Sequence, residues 1–342
     1  MAELLGASSL EQPIYCKISG AIKMDVLLTR QWPAEAEAAF TDRFAATLSS
    51  TDAPLGQDEL REALGRYDVI CPTVSDKLPA ALFEGAQIRT KLIANYGVGF
   101  EHIDIEACKR HGIMVSNTPG VLTDATAELA LTLMLMVARR TPEGLHEAED
   151  GTWTGWRPTH LVGTSLAGKV LGLVGYGKIA RSLAVKAHAA LGMRIACYAR
   201  RPVTVEHGEP AVEQAASLEE LLAISDVVSL HIPGGAETNG MIGKAELTTM
   251  KPGSILINTA RGTVVDHAAL VIALKSGHLG GAGLDVYPAE PAIPEGLVGL
   301  PNVTLLPHLG SATRETRIGM GLRVLANVEA FAKGEELPDR VC

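Results

Sequence analysis

Three side chains have the types and the placement needed for redox chemistry on a small acid: Arg261 in N-T-A-R-G, Glu290 in D-V-Y-P-A-E-P and His308 in P-H-L-G-S. Each follows a strand-like run, at residues 254–258, 282–285 and 303–306, and doubly wound sheets place their ligands at the carboxyl ends of strands. A cation, a carboxylate and an imidazole arriving on separate loops suit reduction of a 2-keto acid. Hydride reaching the carbonyl carbon leaves charge on oxygen, which an imidazolium can protonate while an arginine holds the substrate carboxylate and carbonyl oxygen. A carboxylate beside the imidazole favours its protonated form. Taken singly, each residue has an ordinary explanation: a surface charge, a loop carboxylate before Pro291, a capping or core histidine. The expectation therefore rests on the three together.

Residues 170–177 read V-L-G-L-V-G-Y-G and lead into an Ala-rich helical stretch ending near Leu191. Gly175 can make the tight turn beside Tyr176, and Gly177 lets the backbone approach a pyrophosphate. Ala180 stands at the helix-packing position. The amides of Gly177, Lys178 and Ile179 would open the helix, where free N–H groups and the dipole favour an anion. The next strand ends Cys197-Tyr198-Ala199-Arg200-Arg201-Pro202, so the carboxylate that accepts from the ribose hydroxyls in an NAD site is missing. Arg200 and Arg201 stand beside its place and can grip a 2′-phosphate, which predicts NADP(H) as the preferred cofactor with NAD(H) possible. The plainer alternative is a pair of solvated arginines at a strand end.

These loops need a scaffold that brings strand ends level. From Met24 onward, short β-rich runs alternate with helix-period stretches, the mark of parallel sheets covered by helices. Strands are predicted at 24–29, 68–70, 92–94 and 113–116, with a first helix over 34–48 that Pro33 opens. A second series is predicted at 170–174, 194–198, 226–230, 254–258, 282–285 and 303–306. The fold class is therefore α/β, with two doubly wound parallel-sheet domains in tandem. Residues 118–140 open on Pro119-Gly120 and become a strongly apolar helix that crosses between the units. A last helix over 313–333 returns to the first unit and makes it discontinuous, giving domains at 1–117 plus 313–342 and at 118–312.

The chain has 342 residues, long enough for two cores. Its net charge of −9 provides no positive field to collect nucleic acid. The five cysteines are dispersed without C-x-x-C pairs or zinc-ligand spacing, which predicts no metal, free thiols and a reducing, cytoplasmic compartment. The longest apolar run, residues 129–138, is too short to span a bilayer, so no membrane partner is expected. The first 22 residues lack the pattern of a signal peptide, and their role is not legible.

The ordered motifs N-Y-G-V-G-F-E-H-I-D (95 to 104), V-S-N-T-P-G-V-L-T-D-A-T-A-E-L-A (115 to 130), G-L-V-G-Y-G-K-I-A (172 to 180), N-T-A-R-G (258 to 262), A-G-L-D-V-Y-P-A-E-P (282 to 291) and P-H-L-G-S-A-T (307 to 313) span almost the whole chain. In them the sequence resembles the D-isomer-specific 2-hydroxyacid dehydrogenase family, and within it the NADP-dependent glyoxylate/hydroxypyruvate reductases. The resemblance implies a Rossmann domain for the dinucleotide and a smaller flavodoxin-like domain formed by both chain ends. It makes Arg261 the substrate-binding arginine, His308 the proton donor and Glu290 its carboxylate partner. It also implies that the amides of Val98 and Gly99 hold the substrate carboxylate, with Ser311 beside His308. Thr126, His231, Pro233, Thr259, Ala260, Asp285 and Gly310 fall on the cofactor side. Tyr96, Phe100 and Trp156 would close the pocket around a short 2-keto acid, Trp156 from a Trp-rich loop (153 to 158) that reaches a neighbouring subunit of a homodimer.

Other readings share these motifs. Transcriptional corepressors carry the same fold and triad as dinucleotide-sensing binding proteins. Phosphite, formate and phosphoglycerate dehydrogenases are the rival enzymes, and Arg200-Arg201 together with the absence of a C-terminal regulatory domain counts against the last.

Overall fold

Parallel pairing requires a crossover after every strand, and the sequence supplies a helix or long loop at nearly each one. The computed structural model of the protein describes residues 22–342. The expectations for residues 1–21, including Cys16, lie outside the described residues. The strands β1 (Ile22–Leu28), β2 (Phe44–Thr47), β3 (Val69–Cys71), β4 (Leu92–Ala94) and β5 (Met114–Ser116) form one sheet, in the order β2-β1-β3-β4-β5. Every pairing in it is parallel.

The second sheet is built from β6 (Val170–Val174), β7 (Arg194–Tyr198), β8 (Val212–Gln214), β9 (Val227–Leu230), β10 (Ile255–Asn258), β11 (Gly281–Leu284) and β12 (Val303–Leu305). It is also parallel, in the order β12-β11-β10-β9-β6-β7-β8. Both faces of each sheet are covered. Val170 and Val174 of β6 belong to one apolar cluster while Leu171 and Leu173 belong to the opposite one, so the strand reads as a continuous apolar run.

Register carries the functional consequence. Val174 pairs with Tyr198 and Leu230, Leu230 with Asn258, Asn258 with Leu284, and Leu284 with Leu305. Six strands thus end level, and the segments that follow them form one rim.

The helix expected over 34–48 is shorter. It spans Ala34–Thr41, and Phe44–Thr47 becomes the edge strand β2 along β1, with Phe44 buried. Pairing at a sheet edge outweighs the alanine helix propensity there. The apolar helix Thr123–Ala138 packs on β10, β11 and the helix Lys178–Leu191. The last helix, Arg314–Lys333, starts at Thr313, whose side chain accepts from the Thr316 amide, and stops at Gly334 in the left-handed region. It packs against β4 and the helix Ala34–Thr41, burying Met320, Val324, Leu325 and Val328 in the first sheet's core. Among the described residues no helix is long and apolar enough to cross a membrane.

Candidate active site

The turn after β6 is tight because Gly175 takes φ +87°, and a Cβ there would lie 2.6 Å from the His231 carbonyl oxygen. Gly177 precedes the 14-residue helix Lys178–Leu191, and a Cβ on it would meet open space. The first amides of that helix have no intrahelical acceptor, so an anion in the open space would satisfy them. Two buried hydroxyls close by in the fold, Tyr176 OH and Thr259 Oγ1, have no protein partner. An open phosphate seat with unsatisfied donors fits a dinucleotide cofactor.

The end of β7 carries no carboxylate of its own. Arg201 is exposed, and Arg200 pairs with Glu237 at 2.9 Å, both side chains largely in solvent. Ala199 and Arg201 turn their carbonyls to the Gln214 amide. His231, after β9, bonds Ser229 Oγ through Nε2 at 2.9 Å, and burial pushes its pKa down to about 4, so the ring is neutral. Pro233 is exposed and its carbonyl accepts from Thr238.

After β10, Asn258 braces the next loop by accepting from the Ala260 amide and donating to the Arg261 carbonyl. The Arg261 guanidinium then crosses to the first domain. Its Nη1 donates to the Ala260 carbonyl and its Nη2 to Glu101, at 3.2 Å. It lies against Gly99, where a Cβ would sit 1.5 Å from Nη2.

Gly99 belongs to a loop whose carbonyls are all taken. Asn95 Nδ2 donates to the carbonyls of Gly97 and Gly99, and Asn117 Nδ2 to that of Val98. Among the described residues, nothing accepts from the Val98 and Gly99 amides. Two free N–H groups beside a guanidinium form a seat for a carboxylate.

The loops after β11 and β12 are tied together. Fully buried Asp285 accepts from the amides of Leu309 and Gly310 at 2.7 and 2.8 Å, and Thr126 Oγ1 donates to the Gly310 carbonyl. Burial raises the Asp285 pKa against those two donors. His308 takes φ +56°, and its Nδ1 meets Glu290 Oε2 at 2.7 Å. The other Glu290 oxygen accepts from the Tyr287 amide, and Tyr287 OH bonds the carbonyls of Leu284 and Leu306. Burial works against ionisation of Glu290, but His308 and the Tyr287 amide hold its carboxyl below the usual carboxylate range.

The structure thus brings His308 and Glu290 into contact and sets Arg261 against Gly99. Tyr96 is placed otherwise: its ring packs on Trp32, tilted by 38° with centroids 4.4 Å apart, its hydroxyl donates to the Arg317 carbonyl, and only 5% of it is exposed. Its side chain is core, so the expected pocket wall is corrected here; an aromatic beside Gly97 looks the same in sequence whichever way it turns. Phe100 packs against the apolar cluster behind β4 and β5. Ser311 is partly buried, and its carbonyl accepts from Arg317. Trp156 stands 82% exposed. Sequence reasoning missed Glu101, Asn95 and Asn117. The two asparagines follow strands β4 and β5 directly, which is the one signal that would have found them.

Residues 131–310 match the family described as D-isomer specific 2-hydroxyacid dehydrogenase, NAD binding domain. A glyoxylate reductase of Thermococcus litoralis is 44% identical over 324 residues, 94% of this chain and 97% of that protein. One from Aeropyrum pernix is 42% identical over 279 residues, 80% of this chain and 82% of that protein. Among solved structures, a Thermus thermophilus protein superposes with TM-score 0.86 at 43% identity, covering 93% of this chain and all of that one. An NADPH-dependent glyoxylate/hydroxypyruvate reductase from Sinorhizobium meliloti, in complex with NADP and malonate, gives 0.83 at 30% identity over 94% of this chain and 97% of that one. The chain belongs to the D-isomer specific 2-hydroxyacid dehydrogenase family. It is an NAD(P)-dependent oxidoreductase acting on CH–OH groups.

Proposed function

We propose that this protein is an NADPH-dependent reductase of short 2-keto acids, converting glyoxylate to glycolate and hydroxypyruvate to D-glycerate. The observation that carries the reading is the meeting of the free Val98 and Gly99 amides with Arg261 across the interdomain gap, on the rim that also bears His308. The glyoxylate reductase relatives, similar over nearly the whole chain, support the choice of substrate.

In this reading the substrate carboxylate sits on the two amides, and Arg261 polarises the carbonyl oxygen. NADPH, when bound, would supply the hydride for the carbonyl carbon. As charge builds on oxygen, His308 delivers the proton from Nε2, and Glu290 on Nδ1 stabilises the imidazolium that carries it. Gly175, Tyr176, Gly177, Lys178 and Ile179 would hold the dinucleotide phosphates, while Arg200 and Arg201 would hold the 2′-phosphate. Thr126, Ala199, His231, Pro233, Thr259, Ala260, Asp285 and Gly310 line the remainder of the cofactor site, and Ser311 stands beside His308.

The protein acts as a homodimer in the cytoplasm. Leu145 and Leu135, 57% and 38% exposed on consecutive helices of the larger domain, together with Trp156, support that assembly, and Leu145→Asp is expected to yield a monomer by analytical ultracentrifugation. The function itself is tested by assaying glyoxylate, hydroxypyruvate, pyruvate and phenylpyruvate with NADPH and NADH. The expected result is fastest turnover of the two short acids with NADPH; an NADH preference of about tenfold or more, or no turnover of either acid, overturns the reading.

A further inference from the structure

Glu101 is the charged group at the site that the mechanism above leaves without work. It sits two residues after the free Gly99 amide, on the first domain, yet its side chain is held by the second. Arg261 Nη2 donates to its Oε2 at 3.2 Å, and Gly234 of the second domain lies against the same carboxylate. The surrounding glycines keep this contact open: a Cβ on Gly99 would fall 2.6 Å from Glu101 Oε2, and one on Gly234 would fall 3.5 Å from Oε1. The carboxylate therefore occupies one flank of the guanidinium whose other surroundings receive the substrate. It is 38% exposed, so it faces the mouth of the gap rather than a sealed core.

The local charges argue for what it does. At the guanidinium the positive charge of Arg261 is already met by Glu101 at 3.2 Å, so that pair is neutral before any acid enters. A single substrate carboxylate is met by the two uncharged amides and the near side of Arg261. A second one, carried on C3, would find the far side of Arg261 already taken by Glu101 and would meet a like charge there.

We propose that Glu101 is a charge filter that restricts the site to monoanionic 2-keto acids and excludes dicarboxylic ones. The proposal rests on the 2-keto acid reading above and deepens it by naming the class of substrate. Like charges a few ångströms apart in a partly buried site repel strongly enough to separate the two classes by a factor of about ten or more.

The test compares hydroxypyruvate with ketomalonate, which have the same three carbons and differ in the charge on C3. For wild type, E101Q and E101D, the ratio of kcat/KM for ketomalonate to that for hydroxypyruvate is measured with NADPH. E101Q is isosteric, and its ratio is expected to rise by at least fivefold, of the order of tenfold, mainly through KM for ketomalonate. E101D keeps the charge, and its ratio is expected to stay within fivefold of wild type. A ratio in E101Q that moves less than fivefold overturns the proposal, and so does an E101D that moves as far as E101Q, since the effect would then belong to shape. Absence of turnover of hydroxypyruvate by wild type strikes the function reading alone. In that case the same ratio, read as Kd by calorimetry, decides the charge filter separately.

Discussion

His308 Nδ1 meets Glu290 at 2.7 Å, which leaves Nε2 as the only ring nitrogen free for the gap. The partner on Nδ1 fixes both the tautomer and the direction of the ring. His308→Gln removes the proton donor and is expected to lower kcat by about 10² to 10⁴ with a smaller change in KM, measured by steady-state kinetics. At Gly99 the loss is steric. A methyl group there coincides with Arg261 Nη2, so Gly99→Ala displaces the guanidinium from the free amides. Losing a charge-assisted contact predicts a fall of roughly 10- to 100-fold in kcat/KM, carried mostly by KM, with the melting temperature close to wild type. The residues of the catalytic reading were legible because Arg, Glu and His each followed a strand in a motif of its own. Asn95, Asn117 and Glu101 were not. Their roles depend on which carbonyls and cations the other domain brings to them, and a loop asparagine advertises nothing until its partners are known.

At the scale of elements, six of the seven strands of the second sheet were readable from their apolar runs, since burial on both faces leaves no polar alternation to confuse. The failure at residues 34–48 has the opposite origin: β2 is an edge strand of alanines with one buried phenylalanine, and only its pairing with β1 makes it a strand. The edge strand β8, shorter still and mostly exposed, escaped notice for the same reason. The end of β7 gives an element-level prediction. Arg200 is tied to Glu237 by an exposed ion pair, which contributes little and is given up readily to a phosphate. Replacing Arg200 and Arg201 together by Ser is expected to lower kcat/KM for NADPH by roughly 10- to 100-fold, the worth of one or two charge-assisted hydrogen bonds, while NADH changes less than about threefold. Equal losses with both cofactors would place the 2′-phosphate elsewhere.

Across the whole molecule, each domain carries a half-buried imidazole beneath the rim that bears the site. In the first, His102 Nε2 meets Asn95 Oδ1 at 3.0 Å, behind the same asparagine that holds the Gly97 and Gly99 carbonyls. In the second, His231 bonds Ser229 beside the phosphate turn. Burial, with Lys77 adding to it at His102, pushes both pKa values from the ordinary 6.5 down to about 4. The folded chain thus keeps these rings neutral to about pH 4, whereas the unfolded chain protonates them from about pH 6.5. Between those limits the unfolded state binds more protons, so stability falls as pH falls. Carboxylates held low by their partners, such as Glu290 and Asp226, work in the same direction but only at more acid pH, as they approach protonation. At pH 5.5 each histidine is expected to cost on the order of 1 kcal/mol, which lowers the melting temperature by about 2 to 4 °C apiece. Differential scanning calorimetry between pH 7.5 and 5 checks the slope. His102→Gln and His231→Gln should each flatten it, and because the two rings lie in different domains their effects should add. A slope unchanged in both variants would mean that neither imidazole is held neutral by the fold.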